Sequence, residues 1–350
     1  MIFSRGRKQD PVVEFWAWWP TIRPAVTEAI ATGAFEPLTP QISKRVAAIH
    51  KDLTWEFSKG AGARHALVVS PGGNPALRAT VARWGALAPA ADPEWEFHTA
   101  RQPDHETLSA TIEIAGAKLD LALLRFAFSR DEDSAAIDVI GHHPLFRKLP
   151  EPVRGQITFL ALDWLLGEEG VELWVGAVDF SAEEPDGARD PLDLAAAVDA
   201  LREEHREPQW VVFSAELRGR PVTGIAQRPL RSARWPRFDT HVAVVLPYRD
   251  GAEGLPSDEV ADALSAFEDG PLETALHGNG ELVAHETTGG QRTLHYYVDG
   301  ASSAGDELTA AAAGWAGGGA AGQGAGPAAA GKAKVKRAYD PGLEAVAHLS

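Results

Sequence analysis

Cysteine is missing from all 350 residues. Disulfides, thiolate metal sites, iron–sulfur clusters and cysteine nucleophiles are thereby excluded. No apolar run approaches the ~18 residues a membrane helix needs. Ile157–Leu166 is among the longest, and Asp163 breaks it. The opening MIFSRGRKQDPVVEF has basic residues but no apolar stretch behind them, unlike a secretory leader. A cytoplasmic location and no membrane partner are expected. Positive charge is scarce: 33 Lys and Arg stand against 49 Asp and Glu, 33 − 49 = −16. That balance argues against broad non-specific binding to nucleic acid, although a sum can hide a local patch. No GxSxG elbow, kinase signature, HExxH, P-loop lysine or full GxGxxG occurs, so no cofactor and no metal are expected.

What remains is the composition of a globular chain, 45% apolar and 23% charged. A single core rarely grows past about 250–300 residues, so two domains are expected. The polar run Glu203–Pro208 sets the boundary, giving residues 11–205 and 206–348. The fold class is α+β, with largely antiparallel sheets and helices packed on one face.

In the first part, Phe15, Trp19, Ile22, Val26 and Ile30 recur at helical spacing, and Pro20 and Pro24 should kink or split that helix. Trp16, Trp18 and Trp19 read as core and not as a stacking platform. A strand at His65–Val69, the turn Ser70–Asn74 and a helix from Pro75 resemble a phosphate loop in layout only. A plain turn with Asn74 as cap is the better reading. Further strands are expected at Trp95–Arg101, Ala110–Ala115, Leu119–Ser129, Ala135–Ile140 and Val171–Phe180. A helix over Pro152–Leu166 should end at Gly167.

The second part opens with a hairpin, Trp210–Leu217 and Val222–Gln227. From His241 onward the order is β-α-β-β-α-β, the ferredoxin-like split. Thr288-Gly289-Gly290 marks a hairpin that sets His285 opposite Leu294 and His295 on the other face. The last strand belongs at a sheet edge, where Lys334, Lys336 and Arg337 would discourage pairing with other chains. Residues 316–331 are Ala/Gly-rich and read as a flexible insertion.

Two places could carry chemistry. His142 and His143 follow the strand holding Asp138, the residues an unrecognised hydrolase would use. Adjacent residues on a strand point to opposite faces, which argues against their sharing an ion. The stronger signal is Arg218, Arg220, Arg228, Arg231, Arg234 and Arg237, a stretch free of acids. The rest of the chain then carries −16 − 6 = −22. Trp235 and Phe238 interleave with these arginines. Guanidinium forks suit phosphate or carboxylate, and aromatic faces suit bases. The plain alternative is that the arginines pair with the protein's own carboxylates.

The runs WVVFSAELRGRPVTGIAQRPL, HVAVVLPY, ALSAFEDGPLETAL, GELVAHETTGGQRTLHYYV and KVKRAYDPGLEAV resemble a bacterial family of uncharacterised proteins, domain of unknown function family 695. FWAWW, HKDLTWEF and LVVSPGGNPAL are similar to the region that precedes that domain in many members. The resemblance implies no activity and no catalytic residues. The βαββαβ order is also similar to the regulator that inhibits ribonuclease E. The functional expectation is a non-catalytic binding or regulatory module that meets a protein or other acidic macromolecule through Arg218–Arg237. RNA binding through the same segment is an alternative, less favoured than a protein partner. The oligomeric state cannot be read from the sequence.

Overall fold

In the computed structural model, which describes residues 10–114, 116–217, 219–249, 254–317 and 331–349, α1 (Pro11–Thr32) is a single helix of 22 residues. Asp10 caps it, accepting from Val12 N at 2.9 Å, and Gly33 closes it at φ 78°. Pro20 and Pro24 neither split it nor end it. Both lie on its exposed side, where water can satisfy the carbonyls they leave unpaired, and the buried stripe Phe15, Trp19, Ile22 and Val26 runs on unbroken.

There follow α2 (Thr39–Ile49), β1 (Thr54–Lys59), β2 (His65–Ser70), α3 (Pro75–Ala86), β3 (Trp95–His98), β4 (Thr111–Ile114), β5 (Ala117–Asp120), β6 (Arg125–Asp131), β7 (Ala136–His142) and α4 (Glu151–Trp174). Then come β8 (Val175–Ser181), α5 (Pro191–Glu204), β9 (Gln209–Leu217), β10 (Arg220–Arg228), β11 (Thr240–Pro247), α6 (Asp258–Phe267), α7 (Glu273–Leu276), β12 (Gly280–Thr288), β13 (Gln291–Val298), α8 (Ala304–Ala312) and β14 (Lys334–Tyr339). The mixture is α+β, and antiparallel pairs dominate. Two pairs are parallel, β2 with β3 and β7 with β8. The strand expected over Leu119–Ser129 is two strands, because a 3-10 turn at Leu121–Leu123 separates β5 from β6. Gly167, at φ 72° and ψ 161°, interrupts α4, yet the helix resumes after it, so β8 starts at Val175 and not at Val171. Arg218 and residues 318–330 of the Ala/Gly run lie outside the described residues. Among the described residues no helix is long and apolar enough to cross a membrane.

The chain groups into two compact units. One runs up to Ala122 and includes Glu151–Glu172; the other takes Leu123–Pro150 and the chain from Leu173 onward. The expected boundary at 205/206 falls inside the second unit.

In the first unit, α1, α2 and α3 pack on the sheet β1-β2-β3. Trp84 is fully buried and stacks on Trp16 with ring centroids 4.7 Å apart, so the tryptophans are core. The turn after β2 is held by the buried Glu168 carboxylate, which accepts from the Ser70 hydroxyl and from Gly73 N at 2.9 Å. Asn74 caps α3 through Ala76 N at 3.0 Å.

The second unit holds a three-stranded sheet, β6-β7-β8, and a six-stranded one, β14-β11-β13-β12-β10-β9. The six-stranded sheet is antiparallel throughout. Alternation along its strands makes two apolar faces. Val242, Val244, Leu246, Leu294, Tyr296 and Val298 cluster with side chains of α6, α7 and α8. Ala226, Ala284 and Tyr297 cluster instead with Leu343, Val346 and Leu349 of the C-terminal segment. At Gly270-Pro271 the chain forms a π-helical turn, Glu268–Leu272, between α6 and α7.

Candidate functional site

Strand β10 ends at Arg228, and the chain passes through a 3-10 turn, Ser232–Arg234, before β11 begins. Leu230 and Ala233 are buried, and Trp235 and Phe238 pack against the C-terminal apolar cluster. These anchors fix the connection. Arg228, Arg231, Arg234 and Arg237 fall between them and are all half-buried.

Their partners are carbonyls. Arg234 donates to the Arg228 carbonyl at 2.8 Å, Arg228 to that of Gln227 at 3.4 Å, and Arg237 to that of Gly278 at 3.3 Å. Arg234 also lies 5.4 Å from the Trp235 ring centre, and Arg237 lies 5.8 Å from that of Phe238. Carboxylates act on the cluster only through space: Asp133 on Arg228 and Glu281 on Arg234, with Arg231 acting on Asp131. Burial pushes the Arg228 and Arg234 guanidiniums below their ordinary range, and those distant acids do not offset it. Among the described residues none of Arg220, Arg228, Arg231, Arg234 and Arg237 forms an ion pair. Arginines elsewhere do: Arg23 with Asp92 at 2.6 Å, Arg101 with Asp163 at 2.7 Å and Arg130 with Glu204 at 2.7 Å. Pairing with internal carboxylates therefore does not account for this segment. A guanidinium has five N–H donors, and among the described residues each of these four side chains gives one hydrogen bond or none to protein.

The sequence places six arginines in one strip; of the five described, the fold separates Arg220 from the other four. Arg220 opens β10 and Arg228 closes it, eight residues on and roughly 26 Å away at ~3.3 Å per residue. Arg220 instead borders an open hollow of about 620 Å³ with Glu216, Pro221, Gly254 and Gly289. Trp235 is brought to the cluster, but its ring packs against the sheet and is not an open platform.

Asp138, His142 and His143 do not converge. His142 and His143 are buried; His142 Nδ1 is 3.0 Å from the Ser181 carbonyl, and His143 Nδ1 accepts from Leu145 N at 3.1 Å, capping a 3-10 turn. Asp138 accepts from Ala177 N at 2.7 Å and borders a separate hollow of about 470 Å³ with Asp179 and Asp186. Each of these side chains has a local structural task.

Two polar clusters with buried members were not foreseen. On the C-terminal-segment face, His241 Nε2 is 3.1 Å from His295 Nδ1, His295 Nε2 is 3.2 Å from Glu286, and His348 Nε2 is 3.3 Å from the other Glu286 oxygen. Burial, then neighbouring His295, lowers His241 to about 4. On the helix face, Glu268 meets His285 at 3.2 Å and Arg292 at 3.5 Å. The available signal was alternation: His241 and His295 fall on the sheet face opposite Val242, Val244, Leu294 and Tyr296. Among the described residues no group of three or more His, Asp or Glu side chains is arranged to hold a metal ion.

Compared with known proteins, the chain matches no family model, no curated protein and no solved structure at a significant level.

Proposed function

We propose that this protein is a non-catalytic binding or regulatory module whose arginine cluster, Arg228, Arg231, Arg234 and Arg237, receives an acidic surface of a partner protein. One observation carries the reading: in a chain of net charge −16, these half-buried cations have no carboxylate partner among the described residues. A half-buried guanidinium with carbonyl partners alone has lost hydration without gaining a counter-charge, so an external carboxylate would complete it. The packed ring of Trp235 favours a protein over RNA, because base stacking needs an open aromatic face.

The strand order β14-β11-β13-β12, with helices between β11 and β12 and between β13 and β14, supports reading residues 206–348 as a ferredoxin-like domain preceded by a hairpin. Membership of the family-695 group and a cytoplasmic location are part of the same proposal.

Fluorescence anisotropy with labelled poly-L-glutamate and labelled poly(U) tests it. The wild-type chain should bind poly-L-glutamate, and R228A/R231A/R234A should not. Preference for poly(U), or equal binding by the variant, would overturn the reading.

A further inference from the structure

The two edges of the six-stranded sheet are built differently. At one edge, β14 carries exposed Lys334, Lys336 and Arg337, a charged border that resists strand pairing. At the other, β9 pairs among the described residues with β10 alone and has neither lysine nor proline within it. Its single charge is Glu216. Trp210, Val211 and Val212 are 42%, 43% and 74% exposed. This edge is long, apolar and unguarded, and among the described residues its outer backbone groups have no partner strand.

We infer that β9 pairs antiparallel with β9 of a second copy of this chain, about a two-fold axis through Val212. The strand is complementary to itself in that register. Val212 faces Val212 of the second copy, Val211 faces Phe213, and Trp210 faces Ser214, so the most exposed apolar side chain becomes the centre of the contact. Glu216 falls opposite Pro208, and from Pro208 to Glu216 no two like charges oppose one another. Two antiparallel six-stranded sheets then join as one continuous sheet. Within each chain Phe213 holds β9 on β10, because its ring lies over Gly224, its partner there, and only a glycine leaves room. The contact is made by the outer edge of β9; Arg228 of the arginine cluster pairs with Gln209 from the other side of that strand.

The absence of cysteine makes a register-specific test available. Directly opposed residues on antiparallel strands have Cα atoms about 4.5–5.5 Å apart, within disulfide reach. In V212C the two introduced thiols face one another, whereas in S214C they are offset by four residues, roughly 13 Å at ~3.3 Å per residue. Light scattering should give the full-length wild-type chain twice its 37.4 kDa mass, and V212K should halve that mass with an unchanged far-UV circular dichroism spectrum. Mild oxidation should yield covalent dimer from V212C and not from S214C. A single-chain mass for the wild type, a dimer that V212K leaves intact, or equal cross-linking of V212C and S214C would each overturn the inference.

Discussion

The guanidinium of Arg234 donates to the backbone carbonyl of Arg228 at 2.8 Å, so one arginine of the cluster fastens the connection that presents the other. Arg234 therefore has two tasks, holding the 228–234 segment and offering its remaining donors outward. Arg231 has no such internal bond among the described residues. The account expects R231A to weaken poly-L-glutamate binding with no loss of stability. R234A should weaken binding and also cost about 1 kcal/mol, the worth of an ordinary hydrogen bond. Urea titrations beside the binding curves separate the two effects.

The first unit should be sensitive at Trp84. The side chain is fully buried between Phe15 and Trp16, with ring centroids at 5.7 and 4.7 Å. W84A should cost about 3–5 kcal/mol through lost burial and the cavity left behind. The Trp84 indole N–H has no partner among the described residues, so W84F should cost much less, since it removes an unpaired donor along with the lost ring. Denaturant midpoints followed by fluorescence of the remaining tryptophans measure both.

Glu168 should matter more than a helix-end carboxylate ordinarily does. It is buried and accepts from the Ser70 hydroxyl and the Gly73 amide, holding the turn between β2 and α3. E168A leaves those donors unpaired and should cost about 3 kcal/mol. S70A removes a single donor and should cost less. The same denaturant titration ranks the two variants.

Stability should fall with acid over a defined window. His241 is lowered by burial from 6.5 to about 4. Between those values the unfolded chain binds the extra proton and the folded one does not. Its contribution is complete above pH 6.5 and is lost as pH falls toward about 4, on the order of 3 kcal/mol at the limit. H241F removes the titrating group and should flatten that part of the stability–pH curve. Stability of H241F that still falls as steeply as wild type across this window would contradict the assignment.

Local features of this fold were legible because they depend on neighbours in the chain. Asn74 before Pro75, the Thr288–Gln291 hairpin with His285 opposite Leu294, and the edge position of β14 all follow from turn chemistry and alternation. The continuity of α1 was not legible, because it depends on which side of the helix Pro20 and Pro24 face once the core has formed. Nor was the meeting of His241 with His295, which requires β11 and β13 to lie side by side although 54 residues separate them. The arginine strip was half legible. Its composition is plain in the sequence, but the length of β10 carries Arg220 to the far end of the sheet. The chemistry imagined at Asp138, His142 and His143 rested on adjacency alone, and the backbone gives each of them a separate task.

The central claim is that the guanidiniums at 228, 231, 234 and 237 are free to meet an outside anion, and arginine side-chain NMR observes it most directly. On titration with poly-L-glutamate, the Nε–H resonances of these four residues should shift together and saturably, while that of Arg101, already paired with Glu56 and Asp163, stays in place. If the four do not move, or if Arg101 moves as much as they do, the cluster is no binding site and the account fails.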